Sequence, residues 1–419
     1  MRTKTIKKDD AFCVKCGACT TVCPVYQVTG RESHSARGKH HIIEHLDASE
    51  RSKAYDEMLS KCLLCGACRE VCSRQLETPQ LVIKSRSEVS RLSATSFLTY
   101  ISRRALTHPT LFAGLMTAGS TADRLLSSFL PEESGLRLRL ALCRADDFSL
   151  PQTGYIDSRK ASLEQKSDRQ KTKSSCSYFT GCLANHLQPN IGRATDTLVE
   201  RVTGTSPSVP TAQSCCGMAA LAAGNIGEAK RLAQKNIEAF SDNSLPIVTS
   251  CGSCYSHLHS YPDLFEGEPE WQDRARKFSA RLREFSCFFC AAIGSDEKKY
   301  FIDSESKRKV FYHDPCHLRF KWHIIDEPRQ LLVSIPEVEL VELADGPQCC
   351  GQGGLFHVIH PDISCKIRDR LMDNFDALDA QLVVTTCSGC LLQWQQTLAE
   401  KNSPCKVVHL ALLLEQHLR

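Results

Sequence analysis

The chain's capacity for chemistry is concentrated in its thiols: 24 of 419 residues are cysteine, and they are grouped rather than scattered. Near the amino terminus two stretches share one spacing, Cys13-Val-Lys-Cys16-Gly-Ala-Cys19-Thr-Thr-Val-Cys23-Pro24 and Cys62-Leu-Leu-Cys65-Gly-Ala-Cys68-Arg-Glu-Val-Cys72-Ser73. Each reads C-x2-C-x2-C-x3-C, the ligand run of a [4Fe-4S] cubane, in which the fourth cysteine of one run serves the cluster of the other. The expected ligand sets are Cys13, Cys16, Cys19 and Cys72 for one cluster, and Cys62, Cys65, Cys68 and Cys23 for the second. Soft thiolates match iron and sulfide, and Gly17-Ala18 and Gly66-Ala67 keep side chains small where backbone must wrap the cube. The competing reading is zinc, whose sites pair two short knuckles across a longer gap. Ser73 stands where the first run has proline, a departure that leaves all four ligands in place.

A second pattern repeats further along. Cys182 is followed by Cys215-Cys216-Gly217 and then Cys251-Gly-Ser-Cys254, and Cys316 by Cys349-Cys350-Gly351 and then Cys387-Ser-Gly-Cys390. Such self-similarity signals two copies of one structural unit. Short apolar runs at Ser177 to Cys182, Leu245 to Thr249, Val310 to Cys316 and Gln381 to Thr386 read as buried parallel strands that end at cysteines. Each copy is thus expected to be an α/β unit with its cysteines at the carboxyl ends of strands, where such sheets place ligands. Helix amino termini there favour thiolate over thiol. Each copy offers five cysteines, one more than a cubane uses. Six others, Cys143, Cys176, Cys287, Cys290, Cys365 and Cys405, are expected to be small buried hydrophobes. Cys287-Phe-Phe-Cys290 has ligand spacing, but its internal counterpart, Lys406 to Leu414, has none. His317, next to Cys316, is a candidate donor to sulfur, with a capping or packed histidine as the ordinary alternative; the case for His257 and His357 is smaller.

These pieces need a scaffold, and length and composition bound it. At roughly 150 residues per domain the chain holds two or three domains. The expected division is a ferredoxin-type domain at 1–90, a helical segment and linker at 91–175, and two repeated units at 176–300 and 301–419, an α+β multidomain fold. A helix is expected around Glu50 to Leu63, short amphipathic helices near Leu125, Phe129 and Leu136 to Leu142, and a polar linker over Ser158 to Ser175. With 52 basic against 48 acidic residues the net charge is only +4, which excludes a strongly basic nucleic-acid binder. The 42% hydrophobic content is enough to bury a core. No apolar leader follows the initial lysines. The best membrane candidate, Phe97 to Met116, is broken by Arg103, Arg104 and His108. The expectation is a cytoplasmic protein with reduced thiols. Peripheral contact at the inner face of the cell membrane is an open alternative for the segment bearing Arg103, Arg104, Arg137 and Arg139, although a solvated helix face is the ordinary explanation.

Across most of its length the chain resembles a known family. Two ferredoxin motifs precede two CCG domains, marked by Tyr178 to Pro189 around Gly181-Cys182, Cys215-Cys216-Gly217-Met218, His313-Asp-Pro-Cys-His317 and Cys349-Cys-Gly-Gln-Gly-Gly354. This looks like the iron-sulfur subunit of glycolate oxidase or lactate dehydrogenase. It is also similar to the anaerobic glycerol-3-phosphate dehydrogenase iron-sulfur subunit and to the catalytic subunit of heterodisulfide reductase. The resemblance implies an oxidoreductase subunit that conducts electrons: an FAD-dependent hydroxy acid dehydrogenase partner oxidises the substrate, and this chain passes the electrons to a quinone or another acceptor. Gly351-Gln-Gly-Gly354 lacks the spacing of a dinucleotide fingerprint, so substrate chemistry is assigned to the partner. One or two further [4Fe-4S] clusters, cubane or noncubane, are expected in the CCG domains; by resemblance to heterodisulfide reductase, five-cysteine repeats can hold noncubane clusters that cleave a disulfide. Here Cys182, Cys215, Cys216, Cys251 and Cys254 would form one set, and Cys316, Cys349, Cys350, Cys387 and Cys390 the other.

Overall fold

The computed structural model describes residues 12–46, 52–89, 153–165, 174–294, 301 and 307–418. The two amino-terminal cysteine runs fold as near copies. Left-handed backbone recurs at matched positions, Lys15 (φ 59°) with Gly17 (86°) and Leu64 (57°) with Gly66 (87°). Glycine takes that conformation freely, whereas a lysine or leucine held there costs on the order of 1–3 kcal/mol. Its recurrence marks loops wound for what they enclose rather than for their own stability. Pro24 starts a helix at Pro24–Thr29, and a second begins at Ser35, whose hydroxyl accepts from the Gly38 amide at 3.0 Å. Proline with preset φ and serine as N-cap are the residues that start helices. The helix expected at Glu50 to Leu63 is shorter, Lys53–Ser60, and packs with Thr78–Val89 around Tyr55, Met58, Leu59 and Val82.

The rest is built on two wholly parallel sheets. The first orders β1 (Ser177–Phe179), β2 (Ile247–Thr249) and β3 (Leu282–Glu284) as β1-β2-β3. The second, with β4 (Arg308–Tyr312), β5 (Val338–Val341), β6 (Leu382–Thr385) and β7 (Lys406–His409), runs β5-β4-β6-β7. Matching β1, β2 and β3 to β4, β6 and β7 leaves β5 over, and its place in the first sheet is taken by a single bridge, Ser177 to Ser208. The copies reuse the same devices. Tyr178 meets Ser250 through their hydroxyls at 2.7 Å, and Tyr312 meets Thr386 at 2.9 Å. Glu284 caps the helix Phe285–Ile293, and His409 caps Leu410–His417. Gly252 N donates to Thr386 O across the copies, and Phe285, Phe289, Val310, Leu410 and Leu413 share one core.

One expectation is corrected. Part of the Ser158 to Ser175 linker is helical, within Tyr155–Gln165. It docks through few contacts, which is why its polar composition concealed it: Tyr155 is buried against Gly192, and Arg159 Nε pairs with Asp196 at 2.7 Å. The helices expected near Leu125, Phe129 and Leu136 to Leu142, and the arginines between 103 and 139, lie outside the described residues. Among the described residues no helix is long and apolar enough to cross a membrane.

Candidate metal centres

Two cavities open within the amino-terminal loops. Cys13, Cys16, Cys19 and Cys72 line the outer one, with Arg37 and Arg74; Cys23, Cys62, Cys65 and Cys68 line the inner one, with His34, Lys39 and Lys61. Each cavity therefore gathers three thiols of one run and the fourth of the other, and Cys68 borders both. Cys16 is exposed, flanked by the exposed side chains of Phe12 and Val14. The inner thiols are more enclosed: burial pushes Cys68 up to about 12 and raises Cys23 and Cys65. Cys65 also feels Cys316 and Cys349 of the second repeat.

The ten repeat cysteines join into one arc. Contacts run from Cys182 through Cys215, Cys216 and Cys254 to Cys251 in the first copy, and from Cys316 through Cys349, Cys350 and Cys390 to Cys387 in the second. The halves meet at Cys251 and Cys387, 4.0 Å apart between sulfurs. Backbone prepares these positions. Gly217 (φ 95°) and Gly351 (φ 83°) turn their amides toward Cys215 and Cys349 at 3.5 and 3.3 Å, and Cys251 and Cys387 are the N-caps of helices Gly252–His259 and Ser388–Glu400. Thiols donating from Cys182 and Cys216 hold Cys215 well below the ordinary thiol range, and Cys349 and Cys390 hold Cys350 at about 5. Hydrogen bonds from Cys251 and Cys390 likewise lower Cys387. The groups acting on these buried sulfurs are chiefly other sulfurs, so full ionisation would be repulsive. A multinuclear, positively charged metal core is what such a donor set suits, and these residues fit an iron-sulfur group.

Several polar residues join the arc that spacing alone does not single out. A ring nitrogen of His313 lies within 4.8 Å of both Cys350 Sγ and Cys390 Sγ, and burial holds the imidazole neutral, its pKa lowered to about 4. The sequence signal was there: the strand position occupied by Phe179 in the first copy holds histidine in the second. Ser253 Oγ contacts both Cys387 Sγ and His317 Nδ1 at 3.3 Å, so His317 reaches sulfur through a serine. Asp314 is fixed by a two-pronged Arg329 contact (3.0 and 2.7 Å), which holds the loop entering Cys316. His257 is buried beside Tyr261, whose hydroxyl donates to Cys216 O at 2.7 Å. His357 bonds only locally, to Gly354 O at 2.9 Å. Of the cysteines expected in the core, Cys176 and Cys405 are buried, while Cys287, Cys290 and Cys365 are only half-buried. Cys290 donates to Glu327 O at 3.3 Å, on the side of its helix turned toward the helix Asp326–Val333, whereas Phe285 and Phe289 of the same helix enter the core. Cys143 lies outside the described residues.

Comparison with known proteins agrees with this division. Residues 11–76 match a 4Fe-4S dicluster domain, and residues 176–259 and 310–395 each match a cysteine-rich domain, the CCG type. Both matches indicate iron-sulfur clusters. The probable glycolate oxidase iron-sulfur subunit of Bacillus subtilis (strain 168) is 30% identical over 417 residues, covering 96% of this chain and 93% of its own. Lactate utilization protein A of Geobacillus kaustophilus (strain HTA426) is 32% identical over 238 residues, 57% of this chain and 97% of that protein. A crystal structure of a hypothetical protein from Helicobacter pylori aligns with a TM-score of 0.54 at 8% identity, over 98% of this chain and 73% of that one, a likeness of fold alone. With two ferredoxin runs, two CCG repeats and a relative matched nearly end to end, the chain belongs to the family of iron-sulfur subunits of the glycolate oxidase and lactate utilization type.

Proposed function

We propose that this chain is the electron-transfer subunit of a flavin-dependent 2-hydroxy acid dehydrogenase acting on glycolate or lactate. It takes electrons from a flavoprotein partner and delivers them to a quinone or another acceptor. In this reading Cys13, Cys16, Cys19 and Cys72 ligate one [4Fe-4S] cubane and Cys23, Cys62, Cys65 and Cys68 a second. The arc of Cys182, Cys215, Cys216, Cys251 and Cys254 with Cys316, Cys349, Cys350, Cys387 and Cys390 holds one or two more. When bound, such groups supply one-electron chemistry whose potential is set by net charge, hydrogen bonds and exposure. The observation that carries the reading is the succession of sulfur sites from exposed Cys16 to the buried arc, with Cys68 shared between the cavities and Cys65 and Cys349 packed against the same apolar cluster. The protein's own residues position and insulate. Phe12 and Val14 offer an apolar rim beside Cys16 to a docking partner, and the amides of Gly217 and Gly351 and the Ser253 hydroxyl donate to sulfur in the arc. The names of the relatives support the substrate class. The domain limits near residues 90, 175 and 300, a cytoplasmic location and peripheral membrane contact belong to the same proposal.

A second reading rests on the junction of Cys251 and Cys387, where five-cysteine sets from both repeats meet. A substrate disulfide reduced there would make the chain heterodisulfide reductase-like. Anaerobic purification from the native host separates the two. The favoured reading expects copurification with a flavoprotein and dye-linked oxidation of glycolate or lactate by the pair. Disulfide reduction by the isolated chain with reduced viologen, and no hydroxy acid oxidation by any copurifying protein, would contradict it.

A further inference from the structure

The two amino-terminal cavities differ in charge as well as exposure. Lys39, on the helix Ala36–His45, lines the inner cavity with its four cysteines and is 2% exposed. Its ammonium donates to the His34 carbonyl, and among the described residues no carboxylate is in ion-pair contact with it. Burial, with Arg86 nearby, lowers its pKa, and the groups that favour its charged form are Cys62, Cys23 and Cys68. Arg86, from the helix Thr78–Val89, lies behind the same loop. Its guanidinium donates to the carbonyls of Leu59 at 2.7 Å, Ser60 at 3.1 Å, Cys62 at 2.8 Å and Ala222 at 2.5 Å; among the described residues no carboxylate pairs with it, burial lowers its pKa, and Cys62 opposes that shift. Lys61 also lines this cavity but is matched by Glu57 at 2.5 Å. The outer cavity is arranged differently. Arg37 is neutralised by a two-pronged contact with Glu32 at 2.6 and 2.8 Å, and Lys15 and Arg74, which also line it, are exposed, where water and salt screen them. A buried cation is unfavourable unless something opposes it in charge, and beside the inner cavity the opposing charge is that of the thiolates and whatever they hold.

We propose that Lys39 and Arg86 are counter-cations of the cluster held by Cys23, Cys62, Cys65 and Cys68, and that they raise its reduction potential above that of the outer cluster. The inner site is then where an electron entering at Cys16 comes to rest before it passes to the arc. This inference rests on the ligand sets proposed above. In the step, the outer group is oxidised by one electron and the inner group reduced by one; no bond breaks and no proton moves. The inner group gains one negative charge, and fixed buried cations favour the more negative form.

Redox titration of the full chain, followed by electron paramagnetic resonance, tests the proposal, with Cys16→Ser identifying the outer signal. In the wild type the inner cluster should be half-reduced at a higher potential than the outer. Lys39→Met should lower the inner midpoint enough that the reduced-to-oxidised ratio at fixed potential falls about tenfold, about 59 mV for one electron. The outer midpoint should stay in place, and Lys39→Arg should restore the inner one. An inner midpoint at or below the outer in the wild type overturns the proposal, whatever the variants do. So does an unshifted inner midpoint in a Lys39→Met chain with full iron content. Should Lys39→Met fail to retain iron, the wild-type order alone decides. A chain that binds no iron overturns the ligand sets, whereas an iron-loaded chain with an unshifted midpoint overturns only the role of the cations.

Discussion

Cys16 and Cys287 both sit in C-x2-C spacing, yet their surroundings sort ligand from bystander. Cys16 shares a cavity with Cys13, Cys19 and Cys72. Burial and the neighbouring carboxylates of Glu284 and Glu327 raise the Cys287 thiol, and Cys287 borders neither of the four-thiol cavities, so a thiolate there would face negative charge without a set of thiols to share a metal. Cys16→Ser should therefore remove the iron and the paramagnetic signal of one cluster. Cys287→Ala should keep full iron and lose about 1 kcal/mol of stability. Metal analysis per chain checks both, and iron loss from Cys287→Ala would count against the assignment. Spacing singles out the eighteen proposed ligand cysteines because iron-sulfur loops fix the intervals between ligands. It did not expose Lys39, Arg86, His313 or Ser253, since a charge or hydrogen bond supplied from another element leaves no local interval to read.

Among the elements, the glycines of the CCG turns carry the clearest demand. Gly351 has φ +83°, and a methyl group there would come within 2.8 Å of the Ser364 carbonyl oxygen. Gly351→Ala should cost on the order of 1–3 kcal/mol and deplete iron from the second repeat, read by thermal unfolding and metal content. Retention of both would mean that the turn is not required. Strands β1, β2, β4 and β6 were legible from their apolar runs, whereas β3, β5 and β7 were not, and β4 ends at Tyr312, not Cys316, because the chain leaves the sheet to enter the loop fixed by Asp314 and Arg329. The helix at Tyr155–Gln165 escaped notice for the opposite reason. Its residues are mostly polar, and it docks through Tyr155, Arg159 and the Ile156 amide, which donates to Asn185 Oδ1 at 2.9 Å, rather than through a repeating apolar face.

At the scale of the molecule, the sulfur sites do not follow chain order. The inner amino-terminal cavity lies against the second repeat, while Arg86 behind it also reaches Ala222 of the first. Leu63 packs with Val25 against Phe356, Ile363 and Ile367, and Ser60 Oγ meets His360 Nε2 at 2.8 Å. The first repeat follows through the Cys251 to Cys387 junction. Internal repetition foretold two similar units but not this sequence of neighbours, which depends on side chains hundreds of residues apart. The central claim is that iron-sulfur groups occupy neighbouring sites along this path. Iron, acid-labile sulfide and zinc should be quantified in the anaerobically purified full chain, and the reduced protein examined by electron paramagnetic resonance. The account predicts iron and sulfide in equal amounts, little zinc, and signals broadened by interaction between adjacent centres. Zinc without iron or sulfide, or isolated signals with no mutual interaction, would contradict it.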